Sequence, residues 1–175
     1  MVVQLAFERT GSTYMKRLVR ALSGPYVHTE IIVQQEGTAT KRAYSAYTNS
    51  KFARTPQRDF AFSDATHDFL QVETSPDESR RVWNTCEVCA ITKIPYNLSD
   101  MVLSVIPLRS PTETTIFESN TLYCSQAMVL ILRASLEPTH PLQAVLATIN
   151  SRVASPTQLF EALKPHCSRV MRKDV

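Results

Sequence analysis

The sequence predicts an α+β domain, and three observations carry that prediction. Tyr26 to Gln34 is rich in β-branched residues, turns through Gln35-Glu36-Gly37-Thr38 and returns as Arg42 to Tyr47, the pattern of an antiparallel strand pair. Cys124 to Leu136 is apolar on nearly all sides, which places a helix in the middle of a domain rather than on its surface. Only three glycines, Gly11, Gly24 and Gly37, occur in 175 residues, so no Gly-rich phosphate loop exists and NTPase and NAD-dependent functions fall away.

The remaining elements follow in chain order. Val2 to Phe7 reads as a short buried strand. Ser12 offers an N-cap for a helix whose Met15, Leu18, Val19 and Leu22 share a face, with Gly24 at its end and Pro25 beyond. Lys16, Arg17 and Arg20 fall on its other faces and read as a solvated basic surface. Residues 49 to 60 are polar and loop-like; Phe60 to Ser63 and Asp68 to Val72 are further strand candidates. Ser75-Pro76-Asp77-Glu78 starts a helix running to about Thr92, with Val82, Cys86 and Cys89 on one face. Pro95-Tyr96-Asn97 interrupts, Leu98 to Val105 adds a short helix, and Pro107 to Thr121 is loop. After the cysteine-led helix, one helix begins at Pro141 and a last one follows the Ser155-Pro156-Thr157 cap.

The length suits one domain over residues 1–165, followed by a basic tail at 166–175 that is expected to fray. A net charge of +3 is too mild to argue for nucleic acid, and no window of about 18 apolar residues suggests a membrane span. The start lacks a basic region before its apolar stretch, so no signal peptide is expected. Four cysteines do not make a disulfide framework, and a reducing compartment is the natural reading. Cys86 and Cys89 form a C-x-x-C without a second pair, on an apolar helix face, and read as core rather than zinc ligands. No metal and no cofactor is expected. His67, His140 and His166 sit in polar contexts and read as exposed; Cys167 reads as an exposed thiol, and Trp83 as core.

Cys124 heads the apolar helix, where the dipole and the free N–H groups favour thiolate and could bind an oxyanion. Thiol catalysis also needs an imidazole to move the proton and a polar group behind the ring. His28 in the central strand is the candidate base, and alternation puts Glu30 on its face. A buried small apolar residue and a satisfied strand histidine are the alternative readings of the same two positions.

Several blocks extend the pattern: Lys16 to Glu30, Arg42 to Tyr47, Ile94-Pro95-Tyr96-Asn97-Leu98, Leu122-Tyr123-Cys124-Ser125-Gln126 and Ala154 to Phe160. In that order they resemble the circularly permuted NlpC-type papain-fold thiol hydrolases, in which the histidine precedes the cysteine. The resemblance implies a papain-like antiparallel sheet packed on the helix headed by Cys124, with Cys124 as nucleophile, His28 as general base and acid, and Glu30 as third residue, or else Ser45. In the family a polar residue on the strand after the histidine often fills that third place, which here also brings in Tyr47 and Thr48. It implies a cysteine-dependent hydrolase or acyltransferase that passes through a thioester, acting on a peptide, isopeptide, cell-wall-type amide or lipid ester. With no signal peptide expected, the setting it implies is intracellular, including a viral one in which a compact member acts in a host cell or with the virion. A papain-fold binding or virion-associated structural protein without catalysis is the alternative.

Overall fold

A computed structural model of the chain describes residues 2–11, 13–35, 37–47, 51–55, 65–97 and 121–170. The fold is α+β. The strands are β1 (Val2–Glu8), β2 (His28–Gln34), β3 (Lys41–Ala46), β4 (Phe52–Arg54), β5 (His67–Glu73) and β6 (Ser168–Val170), and the helices are α1 (Tyr14–Ser23), α2 (Pro76–Thr92), α3 (Cys124–Ser135), α4 (Pro141–Thr148) and α5 (Pro156–Leu163). The strands join in one sheet of order β4-β3-β2-β1-β5-β6, every described pairing antiparallel.

The register sorts the sheet into two faces. Phe7 stands opposite Thr29 and Asp68, Leu5 opposite Ile31 and Leu70, and Val3 opposite Val33 and Val72. Those apolar residues share the main core with Val82 and Cys86 of α2 and with Ala127 to Leu132 of α3. Each such side chain, fully buried, contributes about 2 kcal/mol of apolar transfer free energy. On the reverse face Ala6, Ile32, Ala43 and Phe69 make a small separate cluster. A strand alternates its side chains, so Thr29 goes with the helix face and His28 and Glu30 with the reverse.

Local chemistry explains the helix ends. Thr13, not Ser12, caps α1 by accepting from the Lys16 N–H; Ser12 lies outside the described residues. Gly24 ends that helix at φ +107, a conformation that disfavours any side chain. On α2 the Ser75 hydroxyl accepts from the Glu78 N–H and the Glu78 carboxylate from the Ser75 N–H, while the other Glu78 oxygen takes the Glu137 N–H at 2.9 Å. Val82, Cys86 and Cys89 face the core, as their spacing predicts.

Several expectations are corrected. Within 49–60, Phe52–Arg54 is a strand, because the buried Phe52 pairs with Ala46 and donates its N–H to the Ile94 carbonyl at 2.8 Å. Leu22, expected on the buried face of α1, is 49 % exposed. His140 is tied rather than free: it caps α4 through Nδ1 and meets the Glu73 carbonyl through Nε2 at 3.0 Å. Cys167, expected as an exposed thiol, is half-buried against the core, and His67, expected in an exposed polar context, begins β5 and is half-buried. Ser168–Val170, inside the expected tail, adds β6 to the sheet edge. The strand candidate 60–63, the helix 98–105, the loop 107–120, Thr48 and residues 171–175 lie outside the described residues.

Candidate functional site

The tetrapeptide Tyr123-Cys124-Ser125-Gln126 divides its labour. The Tyr123 hydroxyl donates to the Ser151 carbonyl at 2.8 Å, and the Ser125 hydroxyl donates to the Ala154 carbonyl at 2.6 Å. Gln126 turns back to accept the Tyr123 N–H at 3.4 Å. Three of the four residues therefore fix the start of α3 on the 151–154 turn and on itself. Cys124, 4 % exposed, meets Thr29 of β2. The Pro95-Tyr96-Asn97 segment adds a wall: Asn97 N–H donates to the Leu122 carbonyl and Leu122 N–H to the Pro95 carbonyl, each at 2.9 Å, and Tyr96 interacts electrostatically with Cys124.

Burial pushes the Cys124 thiol up from its ordinary value. The Thr29 N–H and hydroxyl, the Ser125 N–H and the charge of Lys16 pull it back toward thiolate. The Thr29 hydroxyl approaches without the geometry of a full hydrogen bond. Thr29 is thus the β2 residue that meets the sulfur, and His28, one residue earlier, makes no hydrogen bond to it through Nε2.

His28 and Glu30 meet each other instead. Nε2 of His28 lies 3.6 Å from Oε1 of Glu30, both side chains are buried, and Nε2 has no hydrogen-bond partner among the described residues. Glu30 accepts from the Tyr47 hydroxyl at 3.3 Å and from the Thr55 hydroxyl at 2.9 Å, and the Tyr47 ring stands 5.3 Å from the imidazole. Burial holds His28 down to about 3, helped by the charges of Lys16 and His67, and raises Glu30 to about 7 against the two hydroxyls. Both shifts run toward the neutral forms, so at neutral pH the imidazole is uncharged and a weak base, and Glu30 is close to its midpoint. Ser45 is turned elsewhere, its hydroxyl donating to the Thr29 carbonyl at 2.6 Å.

Thr29 and Thr55 carry no sequence signal of their own: a threonine in a strand reads as a β-former, and only the register brings these two to the site. Lys16 is a third residue that the sequence places wrongly. Its ammonium turns back to Glu8 at 2.6 Å instead of joining a solvated face.

The other candidates settle into structure. Cys86 is fully buried with its thiol pushed well up, and burial takes Cys89 to about 11. Trp83 packs edge-on to Tyr44, with the Arg42 guanidinium 4.8 Å above its ring. Among the described residues no group of three or more His, Cys, Asp or Glu side chains could hold a metal ion, and no helix is long and apolar enough to cross a membrane.

No family model matches the chain, and no curated protein matches it. Among solved structures it is similar to the metalloprotein yiiX from Escherichia coli O157:H7 (DUF1105), at 15% identity and a TM-score of 0.61. The match covers 97% of this chain and 96% of that one, so the likeness is of the whole fold. At that identity it speaks to the fold alone.

Proposed function

We propose that the chain is a cysteine-dependent hydrolase or acyltransferase of permuted papain-like fold, acting on an amide, isopeptide or ester bond. The observation that carries this reading is the buried His28–Glu30 pair one residue from the Thr29 contact of Cys124, with the sulfur at the head of α3. In the proposed reaction the Cys124 sulfur attacks the substrate carbonyl and forms a thioester, and the proton passes to His28 and on to the leaving group. Water then attacks the thioester and releases the acid and the free thiol; in acyl transfer another nucleophile takes its place. The free N–H groups at the start of α3 would receive the oxyanion. Peptides, isopeptides and lipid esters are the substrate classes we attach to it, in an intracellular or virus-associated setting.

One observation favours a second reading, a binding module that keeps the fold without catalysis. Thr29 meets the Cys124 sulfur, whereas alternation along β2 sends the His28 side chain to the other face of the sheet. Alkylation by iodoacetamide separates the two. Under the catalytic reading Cys124 reacts well below pH 8 and faster than Cys167, whose thiol burial takes to about 11, and His28→Ala moves the pH midpoint. Equal rates at both cysteines, with no shift on His28→Ala, would leave the binding module.

A further inference from the structure

The face of the sheet turned away from α3 carries a polar cavity at the end remote from His28. Gln4 of β1 stands across from Ile32 of β2 on one side and from Gln71 of β5 on the other. Two residues along β2 from Ile32, and so on the same face, Gln34 pairs with Lys41 of β3. With Val2 these residues line a cavity of about 320 Å³, at the small end of the range for ligand sites. Gln34 and Lys41 are exposed at its mouth, and Gln4 and Ile32 are buried at its floor.

Gln4 is the residue that points to a ligand. It is 6 % exposed, it lines the cavity, and its amide has no hydrogen-bond partner among the described residues. Unlike the sealed Nε2 of His28, that amide is open to the cavity. The other two amides are half committed. Gln34 Nε2 donates to the Thr38 carbonyl at 2.6 Å and Gln71 Nε2 to the Glu73 carboxylate at 2.7 Å, which leaves the oxygen of each as an acceptor. The cavity therefore offers the amide oxygens of Gln4, Gln34 and Gln71, the Gln4 amide N–H groups and the Lys41 ammonium, over apolar surface from Val2 and Ile32. Among the described residues no carboxylate lines it to neutralise Lys41.

We propose that this cavity binds a small carboxylic acid carrying several hydroxyl groups, a molecule of the sugar-acid class. Its carboxylate meets Lys41 and the Gln4 N–H groups, its hydroxyls donate to the amide oxygens, and its C–H face lies on Val2 and Ile32. The surplus of acceptors selects a ligand rich in donors, and the uncompensated cation selects a negative charge. The site lies on the opposite face of the sheet from the helix that carries Cys124, and it stands independently of the thiol reading.

The test is a titration of the isotope-labelled full chain with D-glucuronate, followed by the backbone and side-chain amide signals. D-glucose supplies hydroxyls without the charge, and acetate the charge without the hydroxyls. Glucuronate should shift the Gln4 side-chain signals to saturation and bind at least about tenfold more tightly than either comparison probe. Lys41→Met should remove the advantage over glucose, and Gln4→Leu, which keeps the bulk of the side chain, should weaken glucuronate by about tenfold. The backbone spectrum shows whether each variant is folded; Lys41 is exposed, so its variant decides the matter should Gln4→Leu fail to fold. No saturable shift at Gln4, acetate binding as tightly as glucuronate, or undiminished glucuronate binding in Lys41→Met overturns the proposal.

Discussion

His28 Nε2 and Glu30 Oε1 stand 3.6 Å apart in a buried pocket, too far for a hydrogen bond yet close enough that a charge on either is felt by the other. The distance fits two groups that burial drives toward neutrality rather than a formed ion pair. Taking two charges out of water outweighs their mutual attraction unless further hydrogen bonds support both. Glu30 has such support from Tyr47 and Thr55, whereas His28 Nε2 has none.

That balance predicts an unusual stability–pH curve. Glu30 is raised in the folded state from 4.5 to about 7, so its contribution is present below pH 4.5 and lost as pH rises toward 7. His28 is lowered from 6.5 to about 3, so its contribution is present above pH 6.5 and lost as pH falls toward 3. Between 4.5 and 6.5 the two slopes oppose and nearly cancel. Urea midpoints should therefore be almost level in that window for the parent chain. Glu30→Gln should leave the histidine slope, with stability rising by about 1.4 kcal/mol per pH unit, and His28→Ala should leave the opposite slope. Parallel curves for all three chains would show that the pair is not coupled to folding.

Thr29→Val tests the contact at the sulfur. Valine keeps the β-branched shape in the strand and removes only the hydroxyl that favours the Cys124 thiolate. The alkylation midpoint of Cys124 should rise by about half a unit, with the thermal midpoint little changed. A fall in the alkylation midpoint would mean that the hydroxyl opposes the thiolate.

The sheet and the helices were legible because their signals are local. The β-branched content of Tyr26 to Gln34, the Ser75–Glu78 and Ser155–Gln158 capping boxes, and the apolar run after Cys124 each act within a few residues. The facing of the site was less so. The sequence puts His28 and Glu30 on one face, but which face meets α3 depends on register with β1 and on which residue the helix start touches. One residue of offset exchanges His28 for Thr29. Lys16 was misread for a related reason: its direction is set by Gly11 and Glu8, in a turn and a strand outside its own helix.

The C-x-x-C gives a prediction about stability alone. Cys86 and Cys89 lie in the core with raised thiols, so replacing both with alanine should lower stability by about 1–3 kcal/mol through lost packing. It should leave the alkylation profile of Cys124 unchanged. A changed Cys124 profile would link the pair to the site and defeat the core reading.

The C-terminal strand supplies the last prediction. Asp68 sits on β5 with 7 % of its side chain exposed, and burial alone would raise its carboxyl. The Tyr26 hydroxyl donates to it at 2.7 Å, Arg169 of β6 donates to its other oxygen, and Arg9 lies at 3.3 Å. Together these hold the carboxyl below its ordinary value, and in turn push the Tyr26 phenol up with its burial. One carboxylate on β5 thus ties to it both the last strand and the segment before β2. Asp68→Asn keeps the shape but leaves Arg169 and Arg9 without their shared anion. The expected result is faster amide exchange across 168–170 and a loss of about 1–3 kcal/mol, because the polar groups left behind are partly buried. A depressed folded-state carboxyl contributes above its unfolded pKa and fades as pH falls, so the gap between parent and variant should close in acid. Unchanged exchange at 168–170 would mean that β6 is held by its backbone ladder with β5 and not by Asp68.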